Sequence, residues 1–203
     1  MEITFRKANL EDVDFIVPLM YSAAEDLFEF SYSVSGKSVK DFLRYAISKG
    51  KGYYGYQNQT VGIYNNEIVF SATTYKGKDI IKETLETFAL EMSFYGLKGF
   101  IPVFYRSLIM SKIFISPKSD SIYIGNLGTK PEFRSKGIGS QFFERIHKFA
   151  KENNIKRCEL DVSFKNPKAE KLYTKMGYIV AKELPYKGTK YNIAGNKRME
   201  KIF

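Results

Sequence analysis

Arg134-Ser135-Lys136-Gly137-Ile138-Gly139-Ser140 is the stretch on which the reading of this chain turns. It follows a run with strand character, Ser121 to Leu127, which Lys130-Pro131 ends, and it opens a helical pattern that starts near Gly139 and continues to about Asn153. Two glycines one residue apart let the backbone come close to a ligand and turn successive N–H groups outward. The helix N-terminus behind them carries partial positive charge, which suits a phosphate. Arg134 and Lys136 add full charges, and an arginine can grip a phosphate through two parallel hydrogen bonds. A G-x-G alone says little. The same glycines with an arginine three residues ahead, set between a strand and a helix, describe a cradle for a pyrophosphate.

Downstream, the helical pattern puts Phe142, Phe143, Ile146, Phe149 and Ala150 on one face and Glu144, Arg145, Lys148 and Lys151 on the other. Arg157 to Val162 reads as a strand turning Cys158, Leu160 and Val162 inward. Asn166-Pro167 opens another helix with Ala169, Leu172, Tyr173 and Met176 on its apolar face, and Gly177 stops it. Tyr178 to Ala181 and Tyr191 to Ile202 are strand-like. Upstream, Ile3 to Arg6 is a short strand, and Asn9 caps a helix carrying Val13, Ile16, Val17, Met20, Ala24 and Leu27 at helical spacing. Ser38 to Asp41 resembles a capping box opening a helix through Ile47. Gly55 to Tyr64 and Glu67 to Thr74 form two strands joined by an Asn65-Asn66 turn. Residues 76–118 break this rhythm. Ile81, Leu85, Phe88, Met92 and Tyr95 recur as the inner stripe of an amphipathic helix. Gly96 to Gly99 makes a turn, and a second helix starts at Pro102, with Ile101, Phe104, Tyr105, Leu108 and Ile109 as its apolar face. This helical hairpin packs on the body, covers the active site or forms a dimer contact. The fold class is α/β: one domain over residues 1–203, a central mixed sheet flanked by helices, with the hairpin inserted before the strand that leads to the glycine turn.

Composition agrees with one globular domain: 203 residues, 44% hydrophobic and 27% charged. A single cysteine, Cys158, and a single histidine, His147, leave no internal disulfide, no cysteine zinc site and no histidine cluster, so no metal is expected. The first six residues lack the apolar core of a signal peptide, and Phe100 to Phe114 is interrupted by Arg106 and Lys112, so the expected compartment is the cytoplasm, without a membrane span. The net charge of +10 is unevenly placed: residues 148–203 hold 14 basic against 6 acidic residues, whereas residues 1–30 hold 2 against 7. A basic face suits a polyanion, either nucleic acid or a phosphorylated cofactor. Phe143, Phe149 and Tyr173 fall on predicted inner faces rather than beside exposed lysines, which argues against nucleic acid. Ser35-Gly36-Lys37-Ser38 imitates the end of a P-loop, but the position five residues before Gly36 is Ser31 and no strand precedes it.

Arg134, Gly137 and Gly139, with the lead-in Lys130-Pro131-Glu132-Phe133, the block Asn166 to Tyr178 and the ending Arg198-Met199-Glu200-Lys201, resemble the GNAT superfamily of acyl-CoA N-acyltransferases. The clear resemblance covers about residues 120–203. It implies an acetyl-CoA-dependent N-acetyltransferase that acts by direct attack of a small-molecule or protein amine, as a monomer or homodimer. It implies that Leu127, Gly128 and Thr129 pair with the pantetheine arm, that the amides from Lys136 through Gly137, Ile138 and Gly139 to Ser140 hold the pyrophosphate with Arg134 and Ser135 beside them, and that Asn166 contacts the cofactor. Tyr173 would protonate the departing thiolate. A tyrosine's reference pKa near 10 keeps its proton at neutral pH. Oxyanion donors are expected at a bulge of the same strand. One departure stands out: where such enzymes often carry a carboxylate base, this chain has Asn126, leaving a water oriented by Asn126, or Glu67 on an earlier strand, to take the proton. Glu25, Asp26 and Glu29 are placed to attract a cationic acceptor. The alternative is an acyl-CoA-binding or sensing module on the same fold, without catalysis.

Overall fold

A computed structural model describes residues 1–188, 191 and 193–203. Seven strands form one sheet: β1 (Thr4–Lys7), β2 (Gln59–Tyr64), β3 (Glu67–Lys76), β4 (Ser121–Thr129), β5 (Arg157–Ser163), β6 (Ile179–Leu184) and β7 (Asn196–Ile202), in the order β1-β2-β3-β4-β5-β7-β6. Every pairing is antiparallel except β4 with β5. The strand expected over Tyr191 to Ile202 begins at Asn196, and its Asn192 lies outside the described residues. The stretch before Gln59, expected as strand from Gly55, is instead a 3-10 turn at Tyr56–Asn58. Asn65 and Asn66 both take positive φ (47° and 63°), as the tight hairpin between β2 and β3 requires.

Helices α1 (Val13–Ala23), α2 (Glu25–Tyr32), α3 (Val39–Ser48) and α4 (Ile80–Met110) cover one face of the sheet, and α5 (Ile138–Glu152) and α6 (Pro167–Lys175) the other. With both faces covered, β3 is buried continuously from Ile68 to Thr74 rather than in alternation. Asn9 caps a 3-10 turn that leads into α1, and the Ser38 hydroxyl caps α3. The single helix expected through Leu27 is two: the backbone breaks at Ala24 (φ −156°, ψ 49°), so Glu25 and Asp26 open α2 instead of ending α1. On α5, Phe142, Phe143 and Ala150 are buried as expected, but Phe149 is exposed and His147 takes the inner position, bonded to the Tyr178 hydroxyl at 3.1 Å. Burial beside Lys201 lowers the His147 pKa to about 4, which leaves the ring neutral. Cys158 is buried, and burial raises its thiol pKa to about 12. Between β5 and β7, Arg198 grips Asp161 through two hydrogen bonds of 2.9 Å, and Asp161 also accepts from the Tyr123 hydroxyl.

The insertion is a helical hairpin, but only Tyr95 and Ile109 of its expected inner faces are buried, and most of the other apolar residues turn outward. Gly96 (φ 67°, ψ 171°) kinks α4 into two arms, and Phe88 of the first packs against Phe100 and Phe104 of the second. Pro102, expected to start the second arm, lies inside it. The buried stripe of the first arm is Glu83, Thr87, Glu91 and Tyr95, while Ile81, Leu85 and Met92 are exposed. On the second arm Val103 and Ile109 point inward, and Ile101, Phe104, Tyr105 and Leu108 outward. Periodicity finds the stripe but not its partner: Glu83 and Thr87 are held by local groups, Asn58 donating to the Glu83 carboxylate and the Thr87 hydroxyl to the Glu83 carbonyl, so polar side chains fill the inner face. Among the described residues no helix is long and apolar enough to cross a membrane.

Candidate active site

β4 and β5 are in register only from Ser121/Arg157 to Ile124/Leu160; beyond that β5 pairs with β7 alone. The edge of β4 facing β5 is therefore open from Gly125 to Thr129. On its other side β4 pairs with β3, with Gly125 opposite Thr73 and Gly128 opposite Ser71, so Asn126 and Leu127 face the single residue Ala72. That extra residue is a β-bulge, and Asn126 sits in it with φ 50°. Its side-chain amide donates to the Thr73 hydroxyl at 3.2 Å, which donates in turn to Gln59 at 3.0 Å. Thr73 and Gln59 are buried. Neither stands out in the sequence, because each occupies an ordinary strand position and its role depends on a cross-strand neighbour. At Gly128, α1 crosses so closely that an added Cβ would collide with the Leu19 carbonyl oxygen.

The glycine turn follows directly. A 3-10 turn at Pro131–Phe133 leads to Arg134, whose Nε donates to the Thr129 carbonyl. Lys136 lies over the Phe133 ring, which meets Tyr64 edge-on. Ser135 and Gly137 are both left-handed (φ 61° and 81°), and Gly137 starts α5 with no side-chain cap. Arg134 to Gly137 are exposed, and no heavy atom lies within 4 Å of where a Gly137 Cβ would be. The first-turn amides of α5 therefore face open space beside two cations, and the fit to a diphosphate is good. Gly139 serves packing instead. An added Cβ there would come within 3.0 Å of Leu172, so the glycine lets α5 lie close on α6.

That packing brings Tyr173 into the same neighbourhood. It is buried at 7% exposure, with its ring 5.5 Å from Phe143 and 6.4 Å from Tyr178. Burial alone raises its pKa to about 12. Asn166 caps α6, its carbonyl oxygen accepting from Ala169 N at 3.1 Å, so the amide half of the side chain is not used by the cap.

Asn166 also lines a cleft of about 530 Å³, together with Glu25, Asp26 and Phe30 of α2, Ser163 at the end of β5, Lys165 just after it, and Tyr191 before β7. The Tyr191 ring meets Phe30 edge-on at 4.9 Å. Ala23, at the end of α1, lies on the cleft wall one helical turn, about 6 Å, beyond the Leu19 carbonyl that touches Gly128. No residue of β4 lines the cleft, which is linked to that strand by way of α1. Glu29 is not on its wall; its carboxylate accepts from the Tyr21 hydroxyl at 2.7 Å. Glu67 lies at the hairpin end of β3, ion-paired with Lys130 and apart from the bulge. Among the described residues no group of three or more His, Cys, Asp or Glu could hold a metal ion. The decoy at Ser35–Ser38 is a tight turn, Val34 bridging Lys37 around Gly36.

A mixed sheet whose parallel pair parts beside a bulge, followed by an uncapped glycine-led helix, is an α/β arrangement that suits a nucleotide-linked carrier. Residues 99–178 match the model of the acetyltransferase (GNAT) family. The fold is that of an N-acetyltransferase from Staphylococcus aureus Mu50 (TM-score 0.72, 20% identity, covering 98% of this chain and 100% of that one). It is also similar to the Drosophila melanogaster polyamine N-acetyltransferase that forms N-acetylagmatine (TM-score 0.59, 14% identity, 100% of both chains). A third similar structure is a candidate acetyltransferase from Salmonella typhimurium with its cofactor acetyl-CoA (TM-score 0.57, 13% identity, 100% of this chain and 94% of that one). The chain is thus similar to the GNAT acetyltransferases by family match over residues 99–178 and by fold over nearly its whole length.

Proposed function

We propose that the protein transfers an acetyl group from acetyl-CoA to a cationic primary amine by direct attack. The observation that carries this is the departure of β4 from β5 after Ile124, with a bulge at Asn126 and the uncapped start of α5 immediately downstream. Leu127, Gly128 and Thr129 offer the pantetheine arm an unpaired strand edge. The amides from Lys136 to Ser140 hold the pyrophosphate, with Arg134 and Lys136 supplying charge, and the amide nitrogen of Asn166 reaches the carrier from α6. When bound, acetyl-CoA supplies an activated thioester.

Tyr173, kept protonated by burial, gives its proton to the sulfur that leaves. On the acceptor side Glu25 and Asp26, in the first turn of α2, draw a cation into the cleft, and the aromatic pair Phe30 and Tyr191 supplies a face for its carbon chain. Asn126 spends its amide on Thr73, which leaves its carbonyl oxygen to hold a water that carries the amine proton outward. Glu67 is the weaker candidate, being held by Lys130. A polyamine or agmatine-like acceptor, as in the Drosophila enzyme, fits this cleft by charge.

The test is thiol release from acetyl-CoA across a panel of polyamines, aminoglycosides, amino acids and peptides, run beside calorimetry with coenzyme A. Turnover with a di- or polycation, and little with neutral amines, is the expected result. Binding without turnover on any amine would move the protein to the sensing-module reading, and absence of binding would end both.

A further inference from the structure

A row of tyrosines crosses the sheet face that α1 to α4 cover, and it starts at the bulge. Thr73, which holds Asn126, is two residues before Tyr75 on β3 and shares its face. Tyr75 stands opposite Tyr123 of β4, with ring centroids 5.1 Å apart. From Tyr75 the rings continue to Tyr53 at 5.7 Å, then to Tyr54 at 6.3 Å and to Tyr32 of α2 at 6.0 Å, where the Tyr32 and Tyr54 hydroxyls share a 2.9 Å hydrogen bond. Tyr53, Tyr54, Tyr75 and Tyr123 are each half-buried, yet burial is the first cause of a raised hydroxyl pKa in all four. Side chains that meet water while protein surrounds them line a recess rather than a core.

Glu91, on the first arm of α4, closes the far end. It lies one turn after Thr87, whose hydroxyl accepts from the Tyr53 amide at 3.0 Å, and one turn before Tyr95, whose hydroxyl donates to the Tyr32 carbonyl at 2.8 Å. Its carboxyl therefore sits between Tyr53 and Tyr32, and beyond burial its charge raises the hydroxyl pKa of Tyr32, Tyr53, Tyr54 and Tyr95. Glu91 is 2% exposed, and one carboxylate oxygen has no partner among the described residues. Asp161, bonded to Tyr123 at the near end, is answered by Arg198. An orphaned buried oxygen costs stability, and such a group calls for an occupant that supplies the missing donor.

We propose that this recess is a binding site for the far ammonium of a linear diamine or polyamine, received by Glu91 among the tyrosine rings while the near amine lies at the bulge beside Asn126. The site deepens the transfer reading and rests on it for the near end alone. An ammonium brings three donors and the opposite charge, and tyrosine faces attract a cation. A neutral tail would leave the oxygen unpaired, and an anion would be repelled. The hairpin's polar inner stripe gains a purpose as well: Glu86 accepts from the Gly52 amide, Thr87 from that of Tyr53 and Glu83 from Asn58, which braces the loop carrying Tyr53 and Tyr54. The segment inserted before β4 thus carries specificity.

Calorimetry with α,ω-diamines of four to eight carbons and the monoamines of equal chain length, run with coenzyme A present and beside thiol release from acetyl-CoA, tests the site. The wild type should bind the best diamine at least about tenfold more tightly than its monoamine, and Glu91→Gln should erase that ratio. Glu91→Gln keeps the shape and removes the charge, so a melting temperature that holds or rises while the diamine preference is lost separates a ligand contact from a structural one. Should that variant not fold, Tyr53→Leu should cut the ratio about fivefold by removing one ring. A wild-type ratio near one overturns the proposal, and so does a ratio that Glu91→Gln leaves unchanged, even where acetyl transfer to amines proceeds. Diamine binding that depends on Glu91 without thiol release upholds the site and sinks the transfer reading instead.

Discussion

At the scale of single residues, the proposed chemistry gathers at one hydroxyl, that of Tyr173. The same burial that makes it look like a core residue is what suits it to give up a proton only to a strong base, because taking the group out of water disfavours the phenolate. Replacement by Phe should keep the packing against Phe143 and Tyr178 and leave coenzyme A affinity unchanged, while kcat falls about 10²–10⁴-fold, the usual worth of a general acid. With a pKa near 12, Tyr173 should add no alkaline limb to the wild-type rate profile below about pH 10. A variant that keeps its kcat reduces Tyr173 to a packing residue. The left-handed turn at Gly137 and the cap at Asn166 are legible in the sequence, because local spacing carries them, while the part proposed for Tyr173 rests on the resemblance. Thr73 and Gln59 are not, since the bulge that joins them to Asn126 is created by pairing between strands far apart in the chain.

Elements show where pattern reading succeeds and where it stops. The glycine turn before α5 and the capped α6 follow from glycine, asparagine and proline positions, whose effects on the backbone are local, whereas the parting of β4 from β5 depends on strand pairing across the sheet. In α4 the apolar period is plain, yet of its residues only Tyr95 and Ile109 are buried, because a period identifies a stripe without naming what it packs against. The cost of the actual orientation falls on Glu91. Its carboxyl is buried with one oxygen lacking a partner among the described residues, and burial raises its pKa to about 7, the Tyr32 hydroxyl working against that rise. The folded state therefore holds the Glu91 proton more tightly than the unfolded chain, whose reference value is 4.5. Stability is highest below about pH 4.5 as far as this group is concerned, declines as pH rises toward 7, and stays reduced above it. Glu91→Gln removes the charge without removing the shape. The variant should match the wild type near pH 4.5 and exceed it by about 2–3 kcal/mol at pH 8 in urea unfolding. An unchanged pH dependence would mean that the carboxylate ionises at no cost in the folded protein.

Over the whole molecule the uneven charge in the sequence becomes a division of labour in space. The basic loop at Arg134 and Lys136 faces the side where the phosphates of the donor would lie, and the acidic opening of α2, from the strongly acidic start of the chain, forms a wall of the cleft. The two reactants proposed, opposite in charge, would thus be met by surfaces of opposite sign on one +10 protein. Screening shortens both fields, to about 10 Å at 0.1 M salt, so KM should rise with ionic strength for acetyl-CoA and for a polycationic amine alike. The two effects have different owners and can be separated. Lys136→Ala should weaken the donor's KM and flatten its salt dependence while leaving the amine's curve in place; Glu25→Gln with Asp26→Asn should do the reverse. Lys136 and the acidic pair lie on exposed backbone starts of two different helices, so neither change disturbs the core, and kcat at saturation should hold within about twofold, since steering acts on encounter rather than on the bond-making step. If both variants shift both curves together, the charges act as one undivided field, and the acidic wall has no special claim on the acceptor.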